Sequence, residues 1–249
     1  MSGTITLRVQ RYDPETDAAP HEASFTVPFS TDTSVLEGLL YIKDHLDGSL
    51  TFRWSCRMGI CGSCGCMVGD EPALTCSTFL RDYAPGPLHV GPLAFLPVQR
   101  DLVIEQEGLF ESLERAHVHP EPGAAPLTAS GVRRQTPQQM AEFYAYAQCI
   151  NCWLCYAACP QVGQQPGFLG PAALALAHRY NLDSRDGGAK ARRCVLGTDD
   201  GVWGCTLVGR CSEVCPKGVD PGRAINQNKL PSALSALLSW LRPRREEEP

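Results

Sequence analysis

The chain has 249 residues, a formal net charge of −5, 43% hydrophobic residues and 13 cysteines. That length is ample for one or two domains with real cores, and an acidic balance with no basic block excludes a surface built to track a nucleic-acid backbone. No apolar run reaches the roughly 18 residues of a spanning helix. Residues 1–5 begin no basic, then apolar, secretory leader, so the expected compartment is reducing and its thiols are expected to stay free of disulfides.

Taken in chain order, Ile5, Leu7 and Val9 alternate with polar neighbours, residues 21–29 repeat the pattern, and a Pro/Asp-rich connection joins them. A β-hairpin is expected. Ser34 and Glu37 make a capping box that opens a helix to about His45, with Val35, Leu36, Leu39 and Leu40 toward a core. Next come Cys56, Cys61, Cys64 and Cys76, spaced C-x4-C-x2-C-x11-C, the spacing of a plant-type 2Fe-2S site. Three thiolates on one loop can grip an edge of a flat cluster while the fourth returns from a later strand. Gly59, Gly62 and Gly65 let the backbone wrap this tightly, and its amides can then point at the sulfurs. C-x2-C is also a zinc spacing, but the four-residue gap, the glycines and the long return favour iron and sulfur. No Gly-Lys-Ser/Thr follows, which disfavours a phosphate loop. Hairpin, helix, cysteine loop and further strands are the order of a β-grasp ferredoxin. Cys66 alternates with Cys64 and is expected to point away from the cluster.

Residues 115–137 shift to Pro, Gly, Ala and polar types and are expected to drape over the surface. The expected division is a first domain over 1–105 and a second over 106–249, with 106–137 partly linker. The second domain reads as helical, with helices opening at Pro137, Pro171 and Pro221. It carries Cys149, Cys152, Cys155 and Cys159-Pro160, spaced C-x2-C-x2-C-x3-C-P, and then Cys205, Cys211 and Cys215-Pro216 with Val208 where a further cysteine is expected. In two-cluster ferredoxins the fourth cysteine of each run serves the other cluster. Crossing the runs gives Cys149, Cys152, Cys155 and Cys215 for a 4Fe-4S cluster and leaves Cys159, Cys205 and Cys211 for a 3Fe-4S cluster. A valine cannot hold the corner iron. Three centres in one chain suit the carriage of single electrons between two distant partners. Of the two remaining thiols, Cys194, like Cys66, is expected to be a buried small hydrophobe or an inert thiol. Leu234, Leu237, Leu238 and Leu241 give one apolar helix face before Arg242, Arg244 and Arg245. It suits packing on the domain itself or, with Trp240 near the interface, against a membrane subunit.

The cysteine runs, together with residues 180–186 and 201–217, resemble the iron-sulfur subunits of succinate dehydrogenases and fumarate reductases, from about residue 4 to 230. The resemblance implies an α+β chain, with an N-terminal β-grasp 2Fe-2S domain and an all-α bacterial-ferredoxin-like domain holding two clusters. It implies a flavoprotein partner with covalent FAD that interconverts succinate and fumarate, one or two integral membrane anchor subunits, and a quinone, with menaquinone favoured. The expected location is the cytoplasmic face of the inner (plasma) membrane. No catalytic acid, base or nucleophile is expected from this chain, and His178 is expected to serve packing or polar contact. Lys229, Thr206 and Asn226 match positions lining the quinone pocket of fumarate reductases, although glutamine is more usual at the place of Asn226. Succinate dehydrogenases tend to show Trp at the place of Gln164 and His at the place of Thr206, so the fumarate-reductase branch is favoured. Trp203 is expected near the 3Fe-4S cluster or in the core. The competing readings are a soluble multi-cluster ferredoxin, a heterodisulfide-reductase-like subunit and a zinc-stabilised structural adaptor.

Overall fold

A computed structural model of the chain describes residues 3–123 and 131–241. Strands β1 (Gly3–Arg11) and β2 (His21–Phe29) pair antiparallel from Gly3 opposite Phe29 to Arg11 opposite His21. The expected capping box forms: Glu37 N–H donates to Ser34 Oγ at 3.2 Å and Ser34 N–H to Glu37 Oε2 at 2.7 Å, which opens α1 (Val35–Tyr41). Beyond Tyr41 the helix widens into a π turn, Ile42–Leu46, so its end falls where the sequence placed it. With β3 (Gly65–Val68), β4 (Glu71–Leu74) and β5 (Leu88–Gly91), the strands form a sheet of order β2-β1-β5-β3-β4, in which β1 and β5 run parallel. Ile5, Leu7, Val9 and Val27 meet Val35 and Leu39 of α1 in its core. Alternation along β1 thus becomes one buried face.

A short hairpin of β6 (Val98–Arg100) and β7 (Val103–Ile104) turns at Asp101, whose φ is 45°. The buried Asp101 carboxylate accepts from Tyr12 N–H at 2.9 Å, Thr51 N–H at 2.8 Å and Arg11 Nε at 3.0 Å. It ties the edge of the first sheet to this hairpin.

Among the described residues beyond Ile104, regular structure is helical: α2 (Glu107–Arg115), α3 (Pro137–Ala147), α4 (Leu154–Ala157), α5 (Pro160–Gln164), α6 (Pro171–Leu182), α7 (Ala189–Leu196), α8 (Arg210–Glu213) and α9 (Pro221–Leu241). Prolines open α3, α5, α6 and α9, where a missing N–H costs nothing. Helix α2 lies in the segment read as linker: Leu109 is buried with Leu74 and Leu93 of the first half and Trp153 and Leu154 of the second. The chain past α2 is held from within by Arg192, which is fully buried, paired with Asp186, and donates from Nη1 to the carbonyls of His117 and His119 at 3.3 Å each.

Helix α9 corrects the reading of Pro231 as the start of a separate short apolar segment, because the helix runs through that residue. Proline removes one i→i−4 hydrogen bond, but Ser232 Oγ donates to Asn228 C=O at 2.8 Å and the side chain is buried. Leu234 and Leu237 are exposed, which corrects the expectation that this face packs on its own domain. The side chains of Leu238, Trp240 and Leu241, and residues Arg242, Arg244 and Arg245, lie outside what the structure describes.

Candidate metal centres

The first cysteine loop is wound by residues in the left-handed region, with φ of 58° at Arg57, 67° at Gly59 and 74° at Gly62. Winding turns the amides inward. Met58 N–H donates to Cys56 Sγ at 3.5 Å, Ile60 and Cys61 N–H donate to the same sulfur at 3.3 Å, and Gly59 N–H donates to Cys76 Sγ at 3.3 Å. These donors hold the Cys56 thiol down to about 6, because a hydrogen bond to the thiolate favours the charged form. Cys76, in a 3-10 turn just after β4, is pushed up to about 11 by burial and by its neighbour Cys64. Thr75 braces the return, giving its N–H at 3.1 Å and its hydroxyl at 3.0 Å to Cys64 C=O.

Cys64 and Cys66 bracket Gly65 at the start of β3 and face opposite cores: Cys64 joins Leu74, Trp153 and Leu154, while Cys66 joins Ile5, Leu7 and Val68. Burial, with the charge of Cys64 second, pushes Cys66 up to about 12. It is an inert core thiol. Cys194 departs from the expectation of burial, since it lies exposed on α7.

Runs two and three are conformational twins. Asn151 and Trp153 have φ of 49° and 64°, and Leu207 and Gly209 have 61° and 84°. Each pair sits two and four residues after the first cysteine of its run. Each loop then enters a one-turn helix, α4 or α8, that carries Cys155 or Cys211. Superposing the loops by position puts Val208 at the place of Cys152.

Cys149, Cys152, Cys155 and Cys215 line one cavity of about 410 Å³, with Ala172, Ala175 and Val219 among its walls. Cys159, Cys205 and Cys211 line another, of about 320 Å³, together with Thr206, Val208 and Ile225. The crossed sets predicted from spacing are therefore the sets that converge. Burial raises Cys149 and Cys159, takes Cys152 and Cys211 to about 11 and Cys155 well above its ordinary value. The thiolates also repel one another within each set, Cys152 feeling Cys149 and Cys215, and Cys211 feeling Cys159 and Cys205. Such a nest holds several thiolates only when metal charge compensates them, so the donor chemistry fits iron-sulfur clusters and does not suit free thiols.

The three sets are in series. A Cβ on Gly62 would lie 2.9 Å from the Cβ of Cys152 and 3.0 Å from Ile150 C=O, and one on Gly65 would lie 3.1 Å from Cys152 C=O. Only glycine lets the first loop rest on the second. Sets two and three share their runs, and Cys155 feels the charge of Cys211.

Lys229 Nζ donates to Cys205 C=O at 3.1 Å and lies 5.6 Å from the ring centre of Trp203. Trp203 is exposed, not in the core, and stands two residues before Cys205. Thr206 lines the third cavity, while Asn226 is exposed on α9 one turn before Lys229. Gln164 ends α5, exposed. His178 is buried between α6 and α9, its Nε2 bonded to Gln227 Oε1 at 2.9 Å and its Nδ1 accepting from Asn228 Nδ2 at 2.8 Å. It does the polar packing expected of it. Sequence reasoning missed the left-handed pairs and the Lys229 bond, although the equal spacing of runs two and three carried the signal for the former.

Residues 6–111 match the family model for a 2Fe-2S iron-sulfur cluster binding domain, and residues 145–219 match that for a 4Fe-4S dicluster domain. The chain is 52% identical over 240 residues to a fumarate reductase iron-sulfur subunit of Escherichia coli O6:H1, covering 96% of this chain and 98% of the relative. It is 32% identical over 227 residues to the mitochondrial succinate dehydrogenase [ubiquinone] iron-sulfur subunit of Candida glabrata, covering 90% and 89%. In fold it is similar to a chain of the Mycobacterium smegmatis Sdh1 complex in the apo form, with a TM-score of 0.81 at 22% identity over 98% of this chain and all of that one. The twin cysteine loops, the wound 2Fe-2S loop and these likenesses agree: the chain belongs to the iron-sulfur subunits of the fumarate reductase and succinate dehydrogenase family, on the fumarate-reductase side.

Proposed function

We propose that this chain is the electron-transfer subunit of a membrane-bound, quinone-linked succinate/fumarate oxidoreductase, joining the FAD of a flavoprotein subunit to a quinone at one or two membrane anchors. The observation that carries the reading is the serial contact of three thiol sets, with the first loop seated on Cys152 and the second and third sets sharing crossed runs. In this reading Cys56, Cys61, Cys64 and Cys76 hold a 2Fe-2S cluster, Cys149, Cys152, Cys155 and Cys215 a 4Fe-4S cluster, and Cys159, Cys205 and Cys211 a 3Fe-4S cluster. When bound, the clusters supply reversible one-electron chemistry. The protein's own work is to fix their spacing, to direct amides at their sulfurs and to shield them from water. The domains divide near residue 105, with α2 belonging to the junction.

At the far end, exposed Trp203, Leu207 and Val208 stand beside the third set, and Leu230, Leu234 and Leu237 are exposed along α9. This face suits an anchor subunit at the cytoplasmic face of the plasma membrane. Thr206, Asn226 and Lys229 are the residues we assign to a menaquinone-type quinone, with Lys229 a hydrogen-bond donor within reach of its oxygen. Among the described residues no helix is long and apolar enough to cross a membrane.

The test is purification from native membranes with partner subunits, followed by metal analysis, electron paramagnetic resonance and assay with succinate and fumarate against defined quinones. About nine irons per chain, a trinuclear signal and quinone-linked turnover are expected. A colourless protein with about three zincs supports the structural adaptor instead. A red-brown chain that purifies alone from the soluble fraction supports a free ferredoxin.

A further inference from the structure

The connection that leaves α2 carries a donor set separate from the cysteines. Helix α2 closes in a Schellman turn, Val118 N–H to Leu113 C=O at 3.0 Å and His117 N–H to Glu114 C=O at 2.9 Å, with His117 at φ 50°. From that turn His117, His119 and Glu121 follow at every second position. His119 Nδ1 lies 3.4 Å from Glu121 Oε1, the two imidazole centres are 5.8 Å apart, and one donor atom from each of the three residues falls within 4.8 Å of the others.

A tetrahedral ion bound about 2.0 Å from its nitrogen and oxygen ligands spaces those ligands about 3.3 Å apart. His119 and Glu121 already stand at that separation. His117 has at most about 1.5 Å to close, within the sweep of a side-chain torsion.

The backbone beneath these side chains is fixed from inside the domain. Buried Arg192 binds the carbonyls of His117 and His119, with its charge answered by Asp186. Asp186 Oδ2 accepts Glu121 N–H at 2.9 Å, and Gly187 N–H donates to Glu121 C=O at 3.2 Å. His117 and Glu121 are half-buried while His119 is exposed, so one side stays open to water. The carbonyl end of α2 also favours positive charge.

We propose that His117, His119 and Glu121 bind one divalent ion of the zinc or nickel type, with water completing its coordination. Two imidazoles and a carboxylate select such ions over magnesium or calcium, which prefer oxygen alone. The site lies outside the three cysteine sets and does not depend on their assignment. Its occupancy stiffens the chain between the two halves.

The test is calorimetric titration of tag-free, cluster-loaded complex with Zn2+ and with Ni2+, the clusters being intact so that their cysteines cannot take the added ion. One ion per chain is expected, with cluster absorbance and paramagnetic signals unchanged. His119→Ala and Glu121→Gln should each weaken binding at least about tenfold. So should His117→Asn, which tolerates the left-handed backbone. His89→Ala, which removes a histidine paired with Glu22 elsewhere on the surface at 2.9 Å, should leave binding unchanged. Absence of uptake, equal uptake by the three variants, or equal loss in the His89 control overturns the proposal.

Discussion

Val208 separates two cysteine runs that otherwise share spacing and backbone conformation. It faces the same cavity as Cys159, Cys205 and Cys211, so Val208→Cys adds the missing thiolate without moving the loop. We expect the trinuclear paramagnetic signal to be replaced by that of a 4Fe centre, with a lower potential. Persistence of the original signal in a variant of full iron content refutes the pairing of the two runs. Arg192 is the opposite kind of residue, a structural charge that no spacing rule announces. Arg192→Ala strands the Asp186 carboxylate in the interior, and breaking a buried pair costs about 3–5 kcal/mol. Anaerobic denaturant unfolding should read that loss, and adding Asp186→Leu should recover part of it. Cysteine roles were legible because ligand spacing is local. The exposure of Trp203 and Cys194 was not, because it depends on what distant segments choose to cover.

At the scale of elements, the helix pair α6 and α9 is locked by His178, which burial holds below its ordinary value of 6.5, against the raising effect of its bonds to Gln227 and Asn228. The unfolded chain therefore takes up a proton first as pH falls. The stability supplied by the neutral imidazole is complete above about pH 6.5 and is lost as the pH drops from there toward its depressed folded value. His178→Gln should flatten the pH dependence of the unfolding midpoint between about pH 7 and pH 5. An unchanged slope places the titration elsewhere. The hairpin and α1 were readable from alternation and a capping box, both of which act within a few residues. Helix α2 was hidden because only Leu109 of its nine residues is buried, too few apolar contacts to stand out beside a Pro/Gly-rich stretch. The passage of α9 through Pro231 was hidden because the support comes from packing and from Ser232.

Over the whole molecule, the two cluster-motif halves share one core, in which Leu93, Ile104 and Leu109 pack with Trp153, Leu154 and Ala172. A sequence read in blocks suggests two independent units, and the division near residue 105 describes ancestry of motif better than mechanical independence. We expect calorimetry of the cluster-loaded chain to give one cooperative transition. Two separate peaks would show that the shared core contributes little. The contact at Gly62 adds a further consequence. A hinge between the halves would let the first and second redox centres drift apart, and tunnelling probability decays exponentially with that gap. With a hydrogen atom as the only spacer between Gly62 and Cys152, the closest approach of the loops is set by bare backbone, and any bulkier substitution would act as an insulator, slowing conduction while leaving every metal ligand in place.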